Sequence, residues 1–164
     1  MNQAEVFAAI LRRNQDFIVK ATDGLAQAGS VLQLPGESNC MNWVLGHVAA
    51  YRDVMLAGIR QPEYMTAAEV KLYTYNSKPI TAASKSSDLE RLLKLLAQGF
   101  EALSGWLERN PEGLQQETPQ DIRPRKGETV VEHFAQLCWH ESNHVGELHA
   151  LRELALVSLG KGWE

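Results

Sequence analysis

Residues 139–154, WHESNHVGELHALREL, hold the densest set of metal-ligating side chains in the chain. His140 and His144 stand four positions apart. On a helix that spacing is about 6 Å of rise and about 40° of rotation, so both imidazoles face one way. Two stacked imidazoles are what one helix can offer to a borderline divalent ion. A third ligand must come from elsewhere, and His47 is the candidate, on the apolar stripe of another helix beside Gly46. Three histidines leave coordination open for water or substrate, the pattern of a catalytic site rather than a closed structural one. A single histidine on a core face is more often a hydrogen-bonded core residue. The pair together with His47, all interrupting apolar stripes, favours the metal.

The other two histidines are read as non-ligands. His133 faces the same side as His140 but lies about 10 Å down the axis. His149 is rotated off that face and is read as solvated or at an interface. His140-Glu141-Ser-Asn-His144 also fits the metalloprotease pattern H-E-x-x-H. The extended form needs a later Gly and His, and Gly146 and His149 each come one residue early. Glu141 accepts a hydrogen bond that orients a ligand imidazole or acts as a base, or else pairs across helices with Arg152 or Arg12. Tyr51, one turn after His47, carries a hydroxyl that could reach the pocket. Trp43, Trp106 and Trp139 are read as core or interface anchors. Cys40 and Cys138 are not spaced as a metal or redox pair and are read as structural thiols. Arg123, Arg125 and Lys126 form a small basic cluster in the loop before the last helix, read first as solvated, which an anionic thiol cofactor could use.

These residues need helices to position them. Phe7, Ile10/Leu11, Phe17/Ile18, Ala21 and Leu25 give an amphipathic helix over about 3–28, interrupted by Asn14 and ended at Gly29 and Pro35-Gly36. A second runs from about 39 to 59, with Ser38 as N-cap and a face of Cys40, Val44, His47, Tyr51 and Val54. Thr66-Ala-Ala-Glu69 reads as a capping box opening a short helix. Residues 76–86 read as loop. Ser87-Asp-Leu-Glu90 reads as a second box, starting a leucine-striped helix that Asn110-Pro111 stops. Residues 111–127 are polar and read as loop. Thr129 and Glu132 open the last helix, which runs to about 158 on a stripe of Val130, Phe134, Leu137, Glu141, His144, Leu148, Leu151 and Ala155. Four long helices without a strand-rich segment predict an all-α four-helix bundle as a single domain over 1–164. The ligand set then requires the second and fourth long helices to be neighbours.

Composition narrows the function classes. The chain has 164 residues, enough for a core without disulfides. Its net charge of −4 lacks the footprint of a nucleic-acid binder. No apolar run approaches a membrane span, and the N-terminus lacks a secretory pattern. The chain is read as cytoplasmic, acting on a small molecule.

Two blocks carry a family resemblance. LPGESNCMNWVLGHVAAYRD, with its Trp and Gly-His, and WHESNHVGELHALRE, with H-E-x-x-H-x-G-[QE]-L and an Arg, resemble the DinB/YfiT-like superfamily of metal-dependent enzymes. The resemblance covers nearly the whole chain. It implies an up-down-down-up bundle, often a homodimer, with zinc or nickel on His47, His140 and His144. Some relatives are transferases that use a low-molecular-weight thiol; others are isomerases or hydrolases. Asn143 departs from the pattern, where an aromatic residue is common. The expectation is a metal-dependent thiol S-transferase; the alternatives are a hydrolase using bound hydroxide and a non-catalytic metal-binding bundle.

Overall fold

The computed structural model describes residues 1–34, 38–119 and 127–160. Their helices are α1 (Gln3–Thr22), α2 (Gln27–Ser30), α3 (Met41–Gly58), α4 (Ala67–Tyr73), α5 (Leu89–Arg109) and α6 (Val130–Ser158). A 3-10 turn, Pro111–Gln115, follows α5. No strand is present among the described residues; the one β-type contact is an isolated bridge, Glu117 to Thr129.

Local chemistry sets the helix starts. Capping boxes close α1 (Asn2 with Glu5), α4 (Thr66 with Glu69) and α6 (Thr129 with Glu132), each satisfying two otherwise free backbone N–H groups. The expected box at Ser87 does not form. Asp88 is the N-cap of α5 without a side-chain bond, and the Leu89 N–H donates to Gln27 Oε1 at 2.7 Å instead. The N-cap of α3 is Cys40, not Ser38, whose hydroxyl donates to the Leu34 carbonyl. Helix α1 stops short of the expected residue 28. Gly24 takes a φ of +70°, which breaks the helix, and Arg152 donates to the carbonyls of Ala21 and Asp23.

The four long helices form a ring in which α1 adjoins α6, α6 adjoins α3, α3 adjoins α5 and α5 adjoins α1. Contacts fix the directions. Asn14 meets Glu141 and Ala21 meets Arg152, so α1 and α6 run parallel. Asn42 meets Ser87 and Arg52 meets Leu96, so α3 and α5 run parallel. His47 meets His140 and Val54 meets His133, so α3 and α6 are antiparallel. Gln27, just beyond α1, meets Leu89, and Arg12 lies over Phe100, so α1 and α5 are antiparallel. The result is the expected up-down-down-up bundle, with α3 and α6 side by side. Helix α3 is buried on nearly every face because α4 covers the side that the bundle leaves open.

Two apolar clusters fill the interior. One holds Ile18, Val44, Leu45, Leu92, Leu96, Leu148 and Leu151. The other holds Phe7, Leu11, Met55, Leu56, Leu103, Phe134 and Leu137. Between them every long helix contributes to one polar layer. Arg52 donates Nε to Glu141 Oε2 (3.0 Å), Nη2 to Glu141 Oε1 (2.7 Å), and Nη1 to Gln15 Oε1 (2.6 Å) and the Leu96 carbonyl. Asn14 Nδ2 adds a bond to Glu141 Oε1 at 3.2 Å. Arg52 and Glu141 are each 1% exposed. A buried ion pair holds its ground only when its remaining donors and acceptors are met, and this layer meets them.

Candidate metal centre

His47 projects from α3 and is buried; His140 and His144 project from α6 and are half-buried. One ligand atom from each lies within 4.8 Å of the others. Among the described residues this is the group of three or more such side chains placed to hold an ion. The sequence-derived trio is therefore brought together, while His133 and His149 stay outside it. His133 is fully buried, with Nε2 3.1 Å from the Val54 carbonyl, and its ring fills the space beside Gly58. His149 is exposed.

The trio's hydrogen bonding suits a cation. His47 Nδ1 is 2.6 Å from the Tyr73 carbonyl. A carbonyl only accepts, so Nδ1 carries the proton and Nε2 presents its lone pair. That Nε2 faces His140 Nε2 at 3.2 Å, and His140 Nδ1 is buried without a hydrogen-bond partner. A neutral His140 is unsatisfied in either tautomer. With its proton on Nε2, Nδ1 is an orphaned acceptor; with it on Nδ1, two lone pairs oppose each other. A cation held by His47 and His140 would relieve that second conflict. His144 Nδ1 lies 3.2 Å from Glu147 Oε1, one turn on, but not in hydrogen-bonding geometry.

Electrostatics keeps ligands deprotonated. Burial pushes the pKa of His140 down to about 4, assisted by the nearby His144 and His47. Burial also lowers that of His47, against an opposing effect of the Tyr73 carbonyl. Both rings are neutral at pH 7, the state that metal ligation requires.

Aromatic rings fix the imidazoles. Trp43 stacks on His47 at 4.4 Å and 17° and meets His144 edge-on at 6.1 Å. Tyr51 lies 4.6 Å from the His47 ring and 4.3 Å from the His140 ring. The residues one turn before and after His47 thus flank it. Trp43 is more than the core anchor read from sequence; its −4 spacing from His47 was the available signal. Trp106 stacks on Phe134 as an anchor, whereas Trp139 is 69% exposed. Gly46 makes room for the Tyr73 ring, not for a neighbouring long helix, and thereby seats the carbonyl that holds His47.

Glu141 makes the cross-helix ion pair that the sequence allowed for, with a different partner. Its carboxylate is engaged by Arg52 and Asn14 rather than by an imidazole, and its ion-pair partner is neither Arg152 nor Arg12. Arg152 lies further along α6 and holds the end of α1; Arg12 stacks over Phe100. Asn143 is at the surface, donating to the Trp139 carbonyl. Both cysteines are buried. Burial raises the Cys40 pKa and pushes Cys138 up to about 12. The basic cluster of Arg123, Arg125 and Lys126 lies outside the described residues. No helix among the described residues is long and apolar enough to cross a membrane.

Comparison with known proteins agrees with this architecture. The sequence model of the DinB superfamily matches residues 10–148, a span containing all three histidines. No curated protein matches the chain. In structure the chain is similar to a conserved protein from Enterococcus faecalis, with a TM-score of 0.68 and 14% identity over 95% of this chain and 98% of that one. At that identity the likeness speaks to the fold.

Proposed function

The chain belongs to the DinB superfamily, and on that footing we propose that it is a divalent-metal-dependent enzyme that transfers a low-molecular-weight thiol to an electrophilic small molecule. The observation that carries the metal reading is the convergence of His47, His140 and His144 from two antiparallel helices, with the Nε2 atoms of His47 and His140 facing each other at 3.2 Å. Zinc or nickel suits an all-imidazole donor set. A bound divalent ion would supply Lewis-acid chemistry, favouring the deprotonated form of a coordinated thiol or water.

The chain's own residues do the positioning. The Tyr73 carbonyl fixes the His47 tautomer. Trp43 and Tyr51 hold the His47 ring between them. An external thiol is favoured by the state of the internal ones: Cys40 is fully buried, and Cys138, also buried, is held protonated. Neither can serve as an accessible thiolate nucleophile.

Elemental analysis of protein purified without a polyhistidine tag tests the centre. Wild type is expected to carry stoichiometric zinc or nickel and His140→Ala to lose it. The same sub-stoichiometric metal in both would overturn the site. Metal-loaded enzyme is then expected to consume thiol in the presence of an electrophile such as 1-chloro-2,4-dinitrobenzene. Metal-dependent turnover that needs no thiol would replace transfer by hydrolysis, and loaded protein inert to both would leave a binding bundle.

A further inference from the structure

We propose that residues 74–85 and the adjoining face of α4 form a binding cleft for an anionic small molecule with an apolar body, distinct from the three-histidine centre. The cleft has a volume of about 790 Å³, within the range of small-molecule sites. Leu72, Pro79 and Ile80 supply apolar wall, and Lys71, Lys78 and Lys85 supply charge. No Asp or Glu lines it. On a chain of net charge −4, three lysines and no lining carboxylate in one concavity stand against the overall balance. A cleft lined by one sign of charge, with low-dielectric walls, concentrates ligands of the other sign.

The segment is built to hold this shape. Between Tyr73 and Leu89 the chain forms no helix or strand, and connections of more than about 12–15 residues without regular structure are uncommon and are usually functional. Here the connection is pinned along its length. Trp43 Nε1 donates to Ser77 Oγ at 2.8 Å. Ile80 is 2% exposed. The Tyr73 hydroxyl donates to Asn42 Oδ1 at 2.9 Å and accepts from the Ser87 N–H at 2.8 Å. Asn42 Nδ2 closes the circuit on the Ser87 carbonyl at 2.9 Å. Thr81 and Ser84 bond each other across a turn. A preformed cleft avoids the ordering cost of binding. The three lysines remain exposed, so they meet a ligand's anionic end while its body lies against Leu72 and Pro79, with Ile80 beneath.

Calorimetric titration of the full chain at low salt, with octanoate, octyl phosphate, octylammonium and inorganic phosphate as probes, tests this. Octanoate or octyl phosphate is expected to bind, and the tighter of the two identifies the head group as carboxylate or phosphate. Octylammonium and inorganic phosphate are each expected to bind at least tenfold more weakly, lacking the charge or the body. The triple variant K71Q/K78Q/K85Q is expected to weaken the octyl anion about tenfold, three screened contacts acting together, with its thermal melt unchanged. Added salt reduces the wild-type affinity. Equal binding of octylammonium, unchanged affinity in the triple variant, or no octyl-anion binding overturns the proposal. Capture by anionic phospholipid vesicles without octyl-anion binding would replace the small molecule by a membrane surface and overturn it too. His140→Ala is expected to leave the octyl-anion affinity intact, so failure of the metal reading and failure of this one are separable.

Discussion

Replacing Glu141 with Leu would strand the Arg52 guanidinium, 1% exposed, in the middle of the bundle. Of its four hydrogen bonds, the two to Glu141 would vanish, leaving Gln15 Oε1 and the Leu96 carbonyl. Breaking a buried pair from one side costs about 3–5 kcal/mol, because an uncompensated charge remains. At about 2.1 cal/mol/K per residue, a chain of 164 residues has an unfolding entropy near 0.34 kcal/mol/K, so the melting temperature should fall by about 9–15 °C. Arg52→Met strands the opposite charge and should cost about as much. The double variant Arg52→Met/Glu141→Leu should recover most of the loss and lie within about 2 kcal/mol of wild type. Recovery is feasible because Gln15 is half-buried and can turn to water, and Asn14 keeps a 3.1 Å bond to Ser142. Urea denaturation followed by circular dichroism at 222 nm gives the cycle. Single costs below about 1 kcal/mol, or costs that simply add in the double variant, would refute the claim that this pair is a coupled, desolvated unit.

Two glycines in site-bearing helices should respond in opposite directions to alanine. Gly46→Ala puts a methyl into the Tyr73 ring, which Asn42 and Ser87 hold in place. It should cost about 1–3 kcal/mol and weaken metal binding by displacing the carbonyl behind His47, as read by melts and by cobalt titration. Gly146→Ala meets open space on exposed helix and should stabilise by about 0.5–1 kcal/mol; equal effects of the two would contradict the packing described. Arg91 lowers the Glu69 pKa from 4.5 to about 2, with help from the Thr66 cap. A depressed folded pKa contributes stability above the unfolded value and loses it on acidification. Glu69→Gln should therefore cost about 1 kcal/mol at pH 7, and the difference from wild type should shrink as pH falls from 4.5 toward 2; a gap that holds constant would count against the pairing.

Much of the fold was legible because its signals are local. Thr66/Glu69 and Thr129/Glu132 place helix starts within a few residues, and the boxes form as the spacing implies. Ser87/Glu90 carries the same signal and fails, because Gln27, distant in sequence, reaches the Leu89 N–H and Tyr73 takes that of Ser87. Nothing in a window around residue 87 encodes that competition. The end of α1 misled for a milder reason. The Asp23-Gly24 pair was a turn signal in its own right, overshadowed by a stripe that continued to Leu25 and stays partly buried beyond the break. The ligand trio was legible because imidazoles interrupted apolar stripes. Arg52 was not legible because its partners, Gln15, Leu96 and Glu141, lie on three other helices and leave no mark in the sequence around it.

The polar interruptions nevertheless contained more than was drawn from them. Asn14 breaks the stripe of the first helix, Glu141 that of the last, and Arg52 is a buried charge in α3. A lone polar residue in a core is costly, so three of them on three helices are tolerable only if they meet. Their meeting fixes more than stability. Glu141 follows His140 directly, and Arg52 follows Tyr51, which lies one turn after His47. An ion pair joining Glu141 to Arg52 therefore sets how α6 is rotated and shifted along α3. A register slip of α6 by one turn would place an aliphatic residue, Leu137 or Val145, against the Arg52 guanidinium and leave both charges buried and unpaired. The apolar clusters on either side, rich in interchangeable leucines, impose no comparable penalty. The layer that separates those clusters is thus also what holds His47 opposite His140 and His144.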